Sequence, residues 1–246
     1  RAIPHEQVNA IIDRMVELRQ RGRMAPFNEG NMRGSFTYWG APNQMPWNVC
    51  PVAGNPLDEA ELSRLNAAAH EYIVQYLDFF RAHMPGMAAA QIDQTAFALG
   101  VRESRRISGL TTLTVDMVLG AAKQPDAIGH GVWMVDIHDP KGSGYTTFTD
   151  AGAHNRLVAG TSYHIPLRMC LNAQVLNLGV VGRCASSTHE AHSSVRVQTH
   201  CMVMGQGVGT AAALALASGQ PLAQVDVAAL QAQLRADGVY LVDVPS

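Results

Sequence analysis

A glycine-spaced apolar segment near the end of the chain constrains the fold more than any other feature. The pattern predicts a helix over about residues 199–218, in which Gly205 and Gly209 stand four apart and share one face. Because glycine has no side chain, that face lets another backbone or a flat ring approach closely. A polar run that contains His189 and Glu190 precedes the helix and is predicted to form a loop.

The start of the predicted helix favours negative charge. The first N–H groups of a helix have no partner within it, and they lie at the positive end of its dipole. The junction between the polar run and the helix therefore suits an electron-rich oxygen on a planar cofactor.

Composition excludes several classes of function. With 246 residues, 47% of them hydrophobic, the chain can bury a sizeable core. A formal net charge of −2 indicates neither a nucleic-acid surface nor a polybasic membrane-binding face. The longest apolar run, Val208–Ala217, is interrupted by Gly and Thr and is too short to span a bilayer.

Cysteine and histidine spacing argues against a metal site. The four cysteines lie far apart without a C-x-x-C pair, so neither a zinc site nor a disulfide framework is predicted, and reduced thiols in the cytoplasm are expected. His189 and His192 are three residues apart, whereas H-E-x-x-H places its histidines four apart on a helix.

Several segments in order along the chain carry a family resemblance. They are GRCASSTHEAHSSVRVQTHCMVMGQGVGTAAALALA at 182–217, GVRESRRI at 100–107, TLT at 112–114, PDAI at 125–128, DIH at 136–138 and YHIPLR at 163–168. Together they resemble the FAD-dependent oxidoreductases, in the superfamily that also holds glutathione reductase and fumarate reductase. The similarity extends over roughly residues 47–241.

The resemblance implies an α/β fold with α+β elements and FAD as the cofactor. Residues 1–170 would form a substrate-binding, or cap, portion that includes part of a β-sheet domain. Residues 171–246 would form the C-terminal part of a Rossmann-like FAD-binding domain.

The superfamily's N-terminal G-x-G-x-x-G loop does not occur after any predicted strand of this chain. By resemblance, Arg1 falls part-way through a substrate domain. We therefore expect the chain to be the C-terminal portion of a flavoenzyme, made separately or cleaved from a precursor. A second polypeptide would carry the nucleotide-binding half.

Periodicity also predicts the other elements. Asp58 with Glu61 three residues later has the spacing of a capping box. Residues 24–56 lack a helical period and are expected to contain strands and substrate-facing loops. Residues 139–156 are expected to form a turn-rich hairpin. Helices are predicted at 5–21, 58–83, 115–122 and 225–237, and strands at 92–101, 106–115, 132–137, 163–167 and 175–181.

The resemblance places the flavin along the polar run and the start of the 199–218 helix. Backbone N–H groups between Ser194 and Met202 are expected to face the pyrimidine end of the ring. The implied cofactor-binding residues are Gly182, Arg183, Glu190, Ser194, Val195, Arg196, Val197, Cys201, Met202 and Gly205.

Three residues are candidates for catalysis. His189 lies in the polar run that leads to the flavin edge, where an imidazole can take a proton while hydride moves to the flavin. Glu190 has three possible roles: it orients His189, it binds the cofactor, or it only packs against neighbouring residues. Arg102 and Arg105 either stabilise negative charge on the substrate or reduced flavin, or belong to a structural ion-pair lattice around Glu103.

The substrate is expected to be a small organic molecule, polar and ring-like. Tyr163, Arg168 and His138 are candidates to line its cleft, or are buried polar residues satisfied by neighbours. Loop residues at 28–39, including Asn28, Asn31, Arg33, Tyr38 and Trp39, fit the same kind of molecule.

The predicted function is hydride transfer between that substrate and flavin, in the assembled enzyme. Two alternatives remain open: reduction of an activated C=C bond by reduced flavin, and a non-catalytic scaffold subunit that keeps the fold.

Overall fold

The computed structural model describes residues 3–36, 44–138 and 155–242. These residues form two compact units. The first comprises residues 3–101 and His138, and the second comprises residues 102–137 and 155–242, in each case within the described ranges. Residues 102–137 and 155–170 thus lie in the same unit as the segment from 171 onward, and the functional boundary after residue 170 stays a prediction.

Three helices build the first unit: α1 (His5–Gln20), α2 (Glu29–Ser35) and α3 (Glu59–His83). Their apolar faces meet in a core that includes Ile12, Phe27 and Phe80, each fully buried. Asp58 caps α3 by accepting a hydrogen bond from the Glu61 N–H at 3.0 Å, which confirms the helix start that the capping-box spacing predicts.

Helix α2 corrects the expectation that residues 24–56 lack helix. Asn28 caps it by accepting from the Asn31 N–H at 2.8 Å. The Arg33 guanidinium bonds Glu29 at 2.8 Å and Asp13 at 2.5 Å. These polar side chains are therefore engaged within the unit. Tyr38 and Trp39 lie outside the described residues.

The second unit is built on a small antiparallel sheet of β1 (Ala127–Gly131) and β2 (Tyr163–Pro166). Two long helices, α6 (Gln198–Ser218) and α7 (Val227–Ala236), pack beside it, together with the short helices α4 (Val115–Leu119) and α5 (His189–Val195). Helix α6 packs closely on β1 at Gly207, where an added Cβ would lie 2.6 Å from Ile128.

Within the described residues, α6 packs closely through a face other than the one that holds Gly205 and Gly209. Gly207 is buried against the strand, whereas Gly205 and Gly209 have no atom within 4 Å of an added Cβ. Both faces of this helix are apolar, so the sequence pattern alone does not select between them. Met202 and Leu216, 69% and 84% exposed, lie on the open side with those two glycines.

Helix α6 is also long and apolar enough to cross a membrane by length and composition alone, with 21 residues and a mean hydropathy of 1.4 in its apolar window. The run Val208–Ala217 considered from the sequence is too short to span a bilayer, whereas the whole helix is longer. The indication is weak, because a core helix passes the same test. Helix α6 has six buried residues, among them Met204, Val208 and Ala211.

Several sequence expectations about strands and loops are wrong. Residues 92–101, 106–115, 132–137 and 175–181 form no strand, and residues 189–195 form α5 instead of a loop. Apolar alternation favours a strand only where a partner surface covers it, and Val132, Val175 and Leu176 remain exposed. The predicted strand at 163–167 is confirmed as β2.

Candidate functional site

Paired segments in the second unit bring the Arg-rich motif to the start of α5. The Ile107 N–H donates to the Cys184 carbonyl at 2.9 Å, and the Thr188 N–H donates to the Leu113 carbonyl at 2.8 Å. Thr188 then caps α5 by accepting from the Ala191 N–H at 3.3 Å. His189, the first residue of α5, is held at a fixed place beside residues 102–106.

Glu103 binds His189 directly. The Nδ1 atom of His189 lies 2.8 Å from Oε2 and 3.0 Å from Oε1 of Glu103. Because an ionised carboxylate only accepts, Nδ1–H is the donor, and in the neutral form of the ring Nε2 then carries the lone pair. The His189 side chain is 43% exposed, and its Nε2 has no hydrogen-bond partner among the described residues.

Glu103 also accepts a hydrogen bond from the Arg106 guanidinium. Burial raises the pKa of Glu103, but the hydrogen bonds from His189 and Arg106 outweigh that effect and leave it below its ordinary value. The carboxylate is therefore held charged beside the imidazole. Glu190 does not supply this contact, because its side chain has no partner among the described residues.

Helix α5 ends at a second group of charges. The Arg196 guanidinium donates to the backbone carbonyl of Arg102 at 3.3 Å and to that of Asp136 at 3.2 Å. Partial burial lowers the pKa of both arginines; for Arg196 the charge of Arg102 adds to the effect, while Asp136 opposes it for each. Arg105 is exposed, and its side chain has no hydrogen bond or ion pair with the described residues.

Beneath α5 lies a buried polar network. The Tyr163 hydroxyl and the Ser194 Oγ are 2.9 Å apart, and the Ser194 Oγ donates to the Trp133 carbonyl at 2.6 Å. The His200 Nδ1 donates to the Ser194 carbonyl at 3.1 Å, and its Nε2 accepts from the Val132 N–H at 3.3 Å. The network ties α5, β2 and α6 together, and Tyr163 and Ser194 are fully buried in it.

The residues predicted to bind cofactor divide into two groups. Ser194 and Val195 are buried. The others reach the surface of the second unit, where the 3-10 turn Gly182–Cys184 packs against α6, and they are Gly182, Arg183, Glu190, Arg196, Val197, Cys201, Met202 and Gly205.

The start of α6 keeps its own N–H groups available. Val197 precedes the helix without a side-chain cap, and the first two helical residues, Gln198 and Thr199, are exposed. At Gly182 the backbone has φ +74°, a conformation that favours glycine, and an added Cβ would lie 3.7 Å from the Cys201 sulfur. These observations fit a flat, anionic ring edge against the helix start.

The predicted substrate residues are not brought together. Tyr163 is buried, and Arg168 is 51% exposed, with its Nε 3.4 Å from the buried Asp126 carboxylate. His138 belongs to the first unit, at the edge of the described residues.

Sequence reasoning named Glu103 only as the centre of an ion-pair lattice, which its pairing with Arg106 bears out. It missed the contact of Glu103 with His189, because the two residues lie 86 positions apart. Thr188 and His200 were also missed as site residues, although threonine before a helical run is a signal for a capping residue. Among the described ranges, no group of three or more His, Cys, Asp and Glu side chains is arranged to hold a metal ion.

Residues 4–234 match the family model described as FAD dependent oxidoreductase. No curated protein and no solved structure matches the chain. The match supports FAD as the cofactor and a flavin oxidoreductase in general, which confirms those sequence predictions at that level.

Proposed function

Because this chain belongs to the FAD dependent oxidoreductase family, we propose that it oxidises a small organic substrate with His189 as the base. The observation that carries the proposal is the pairing of His189 Nδ1 with Glu103, which leaves Nε2 available. A base must present a lone pair at hydrogen-bond distance from the proton it takes. Glu103 fixes both the ring and its tautomer for that purpose.

When bound, FAD supplies the redox chemistry by accepting hydride from the substrate carbon. His189 takes the proton from the substrate hydroxyl through Nε2. The alcohol thus becomes a carbonyl: its carbon loses a hydride to the flavin, and its oxygen loses a proton to His189. Glu103 stabilises the imidazolium that forms, and Arg106 keeps Glu103 charged. Within this scheme, Gln198 and Thr199 would hold the flavin edge through their N–H groups, with Gly182 beside them.

The nucleotide half of the FAD site comes from outside these residues, in our proposal. Its contact surface on this chain would be the open side of α6, with Met202, Gly205, Gly209 and Leu216. An exposed apolar surface of this kind favours association. We expect an obligate contact of more than about 2,000 Å². The cytoplasmic location stays an expectation of the sequence.

An anaerobic reduction experiment tests the redox assignment. The assembled, flavin-bearing protein is mixed with a panel of alcohols, and the loss of oxidised-flavin absorbance is followed. The proposal predicts that at least one alcohol bleaches the flavin with stoichiometric carbonyl product. Bleaching only by a chemical reductant, with the electrons then passed to an activated alkene, would support the C=C reductase instead.

A variant pair tests the assembly. Met202→Lys, at 69% exposure on α6, should prevent co-purification of a G-x-G-x-x-G polypeptide and of FAD. Val74→Lys, also exposed at 47% but on α3 of the first unit, is the control and should retain both. If the chain alone is monomeric and binds FAD tightly, the second polypeptide is unnecessary and this part of the proposal fails.

A further inference from the structure

Two arginines of the second unit meet at the end of α5 and have few charged partners among the described residues. The Arg196 guanidinium donates to two neutral carbonyls, those of Arg102 and Asp136. The exposed Arg102 side chain has no hydrogen bond or ion pair with any described residue. A guanidinium offers five N–H donors in a fixed fork, so both side chains keep donors that a ligand can use.

The local charges reinforce that observation. Glu103 and Asp136 are the carboxylates that act on Arg196. Glu103 is already bound to Arg106 and His189. Among the described residues, the guanidinium groups of Arg102, Arg106 and Arg196 thus interact with two carboxylates, which leaves an excess of positive charge.

Arg196 and His189 also face the same way. They are seven residues apart on α5, two helical turns, with Arg196 still in helical conformation as the C-cap residue. The rise of a helix separates their Cα atoms by about 10 Å along the axis. Residues 102 and 103 lie along that side, because Arg196 binds the Arg102 carbonyl and His189 binds the Glu103 carboxylate.

We propose that Arg102 and Arg196 bind an oxyanion, a carboxylate or phosphate, on a molecule whose reacting end lies at His189. The substrate would then be an organic acid or a phosphorylated compound, with its acidic group several bonds from the carbon that is oxidised. Guanidinium groups bind such anions through two parallel hydrogen bonds. The assignment to substrate rests on the proposed function, whereas the anion site itself does not.

Titration of the assembled, flavin-bearing protein with inorganic phosphate at constant ionic strength tests the site. Arg102→Gln removes an unpartnered side chain and leaves the fold contacts intact, so that a loss of binding is a loss of the ligand contact. Arg156→Gln, an exposed arginine of the same unit with no contact among the described residues, is the control for charge. We expect saturable binding, weakened at least tenfold by Arg102→Gln and less than twofold by Arg156→Gln, since only the first substitution removes a charge-assisted hydrogen bond to the anion.

Equal weakening in the two variants, or no saturable binding by the parent chain, would overturn the site. Two further arms identify the source of the oxyanion. Phosphate binding that appears only after the flavin has been removed would assign the site to the cofactor's phosphates and refute the substrate assignment; equal binding with and without flavin supports it. His189→Ala should bind phosphate as the parent does, so the anion site can stand even if the redox proposal falls.

Discussion

Helix α5 carries two histidines three residues apart, in two environments. At its start, His189 is 43% exposed and paired with a carboxylate, with one ring nitrogen open. One turn later, His192 is fully buried, and its Nε2 donates to the Arg183 carbonyl at 2.9 Å. The same residue type is thus placed for proton transfer in one turn and for packing in the next. The two histidines differ in exposure and in partner, which is a carboxylate for His189 and a backbone carbonyl for His192.

The largest expected effect concerns the exposed histidine. His189→Ala in the assembled, FAD-bearing protein should lower turnover on the order of 10²-fold, because the general base is gone. Flavin content should change little. Turnover and flavin absorbance per protein are the measurements, and His70→Ala, an exposed histidine of the first unit, is the control. Turnover within about threefold of the parent would place the base elsewhere.

Glu103→Gln tests whether the carboxylate matters through its charge. The amide keeps an acceptor oxygen for His189 Nδ1–H but no longer stabilises the imidazolium, so the flavin-reduction rate should fall roughly tenfold. Substrate affinity, measured as the concentration for half-maximal reduction rate, should stay within about twofold. A change in affinity alone would make Glu103 a binding residue instead.

The buried histidine is expected to act on stability. Burial lowers the pKa of His192, with Arg196 and Arg106 adding to the effect and the Arg183 carbonyl and Glu103 opposing it. As the pH falls, the unfolded chain therefore binds this proton at a higher pH than the folded chain does, since unfolded histidines titrate near pH 6.5. The contribution is fully present above about pH 6.5 and is lost as the pH falls below it.

Denaturant unfolding at several pH values measures this dependence. His192→Gln keeps an Nε donor for the Arg183 carbonyl and cannot protonate, so the free energy of unfolding should depend less steeply on pH below 6.5. The reduction is at most about 1.4 kcal/mol per pH unit. Part of the slope should persist, because burial also lowers the pKa of His200. An unchanged slope would mean that His192 does not resist protonation.

The same contrast explains what the sequence could predict. Capping residues and apolar spacing act over a few positions, and they predicted α1, α3, α6 and α7 within a few residues. The family motifs predicted FAD, which the family match supports. Position in the polar run selected His189 over His192 as the candidate base, but it could not show what each ring binds, because those contacts depend on Glu103 and on the turn at Arg183. Local spacing likewise could not select Gly207 over Gly205 for the contact with β1.

A double-mutant cycle on flavin reduction tests the central claim most directly. It compares the parent protein, His189→Ala, Glu103→Gln and the double variant under single-turnover conditions. If Glu103 acts through His189, the double variant should be no slower than His189→Ala, because the carboxylate has nothing left to stabilise. If the two losses multiply, Glu103 and His189 act independently, and the account of a carboxylate-held base is contradicted.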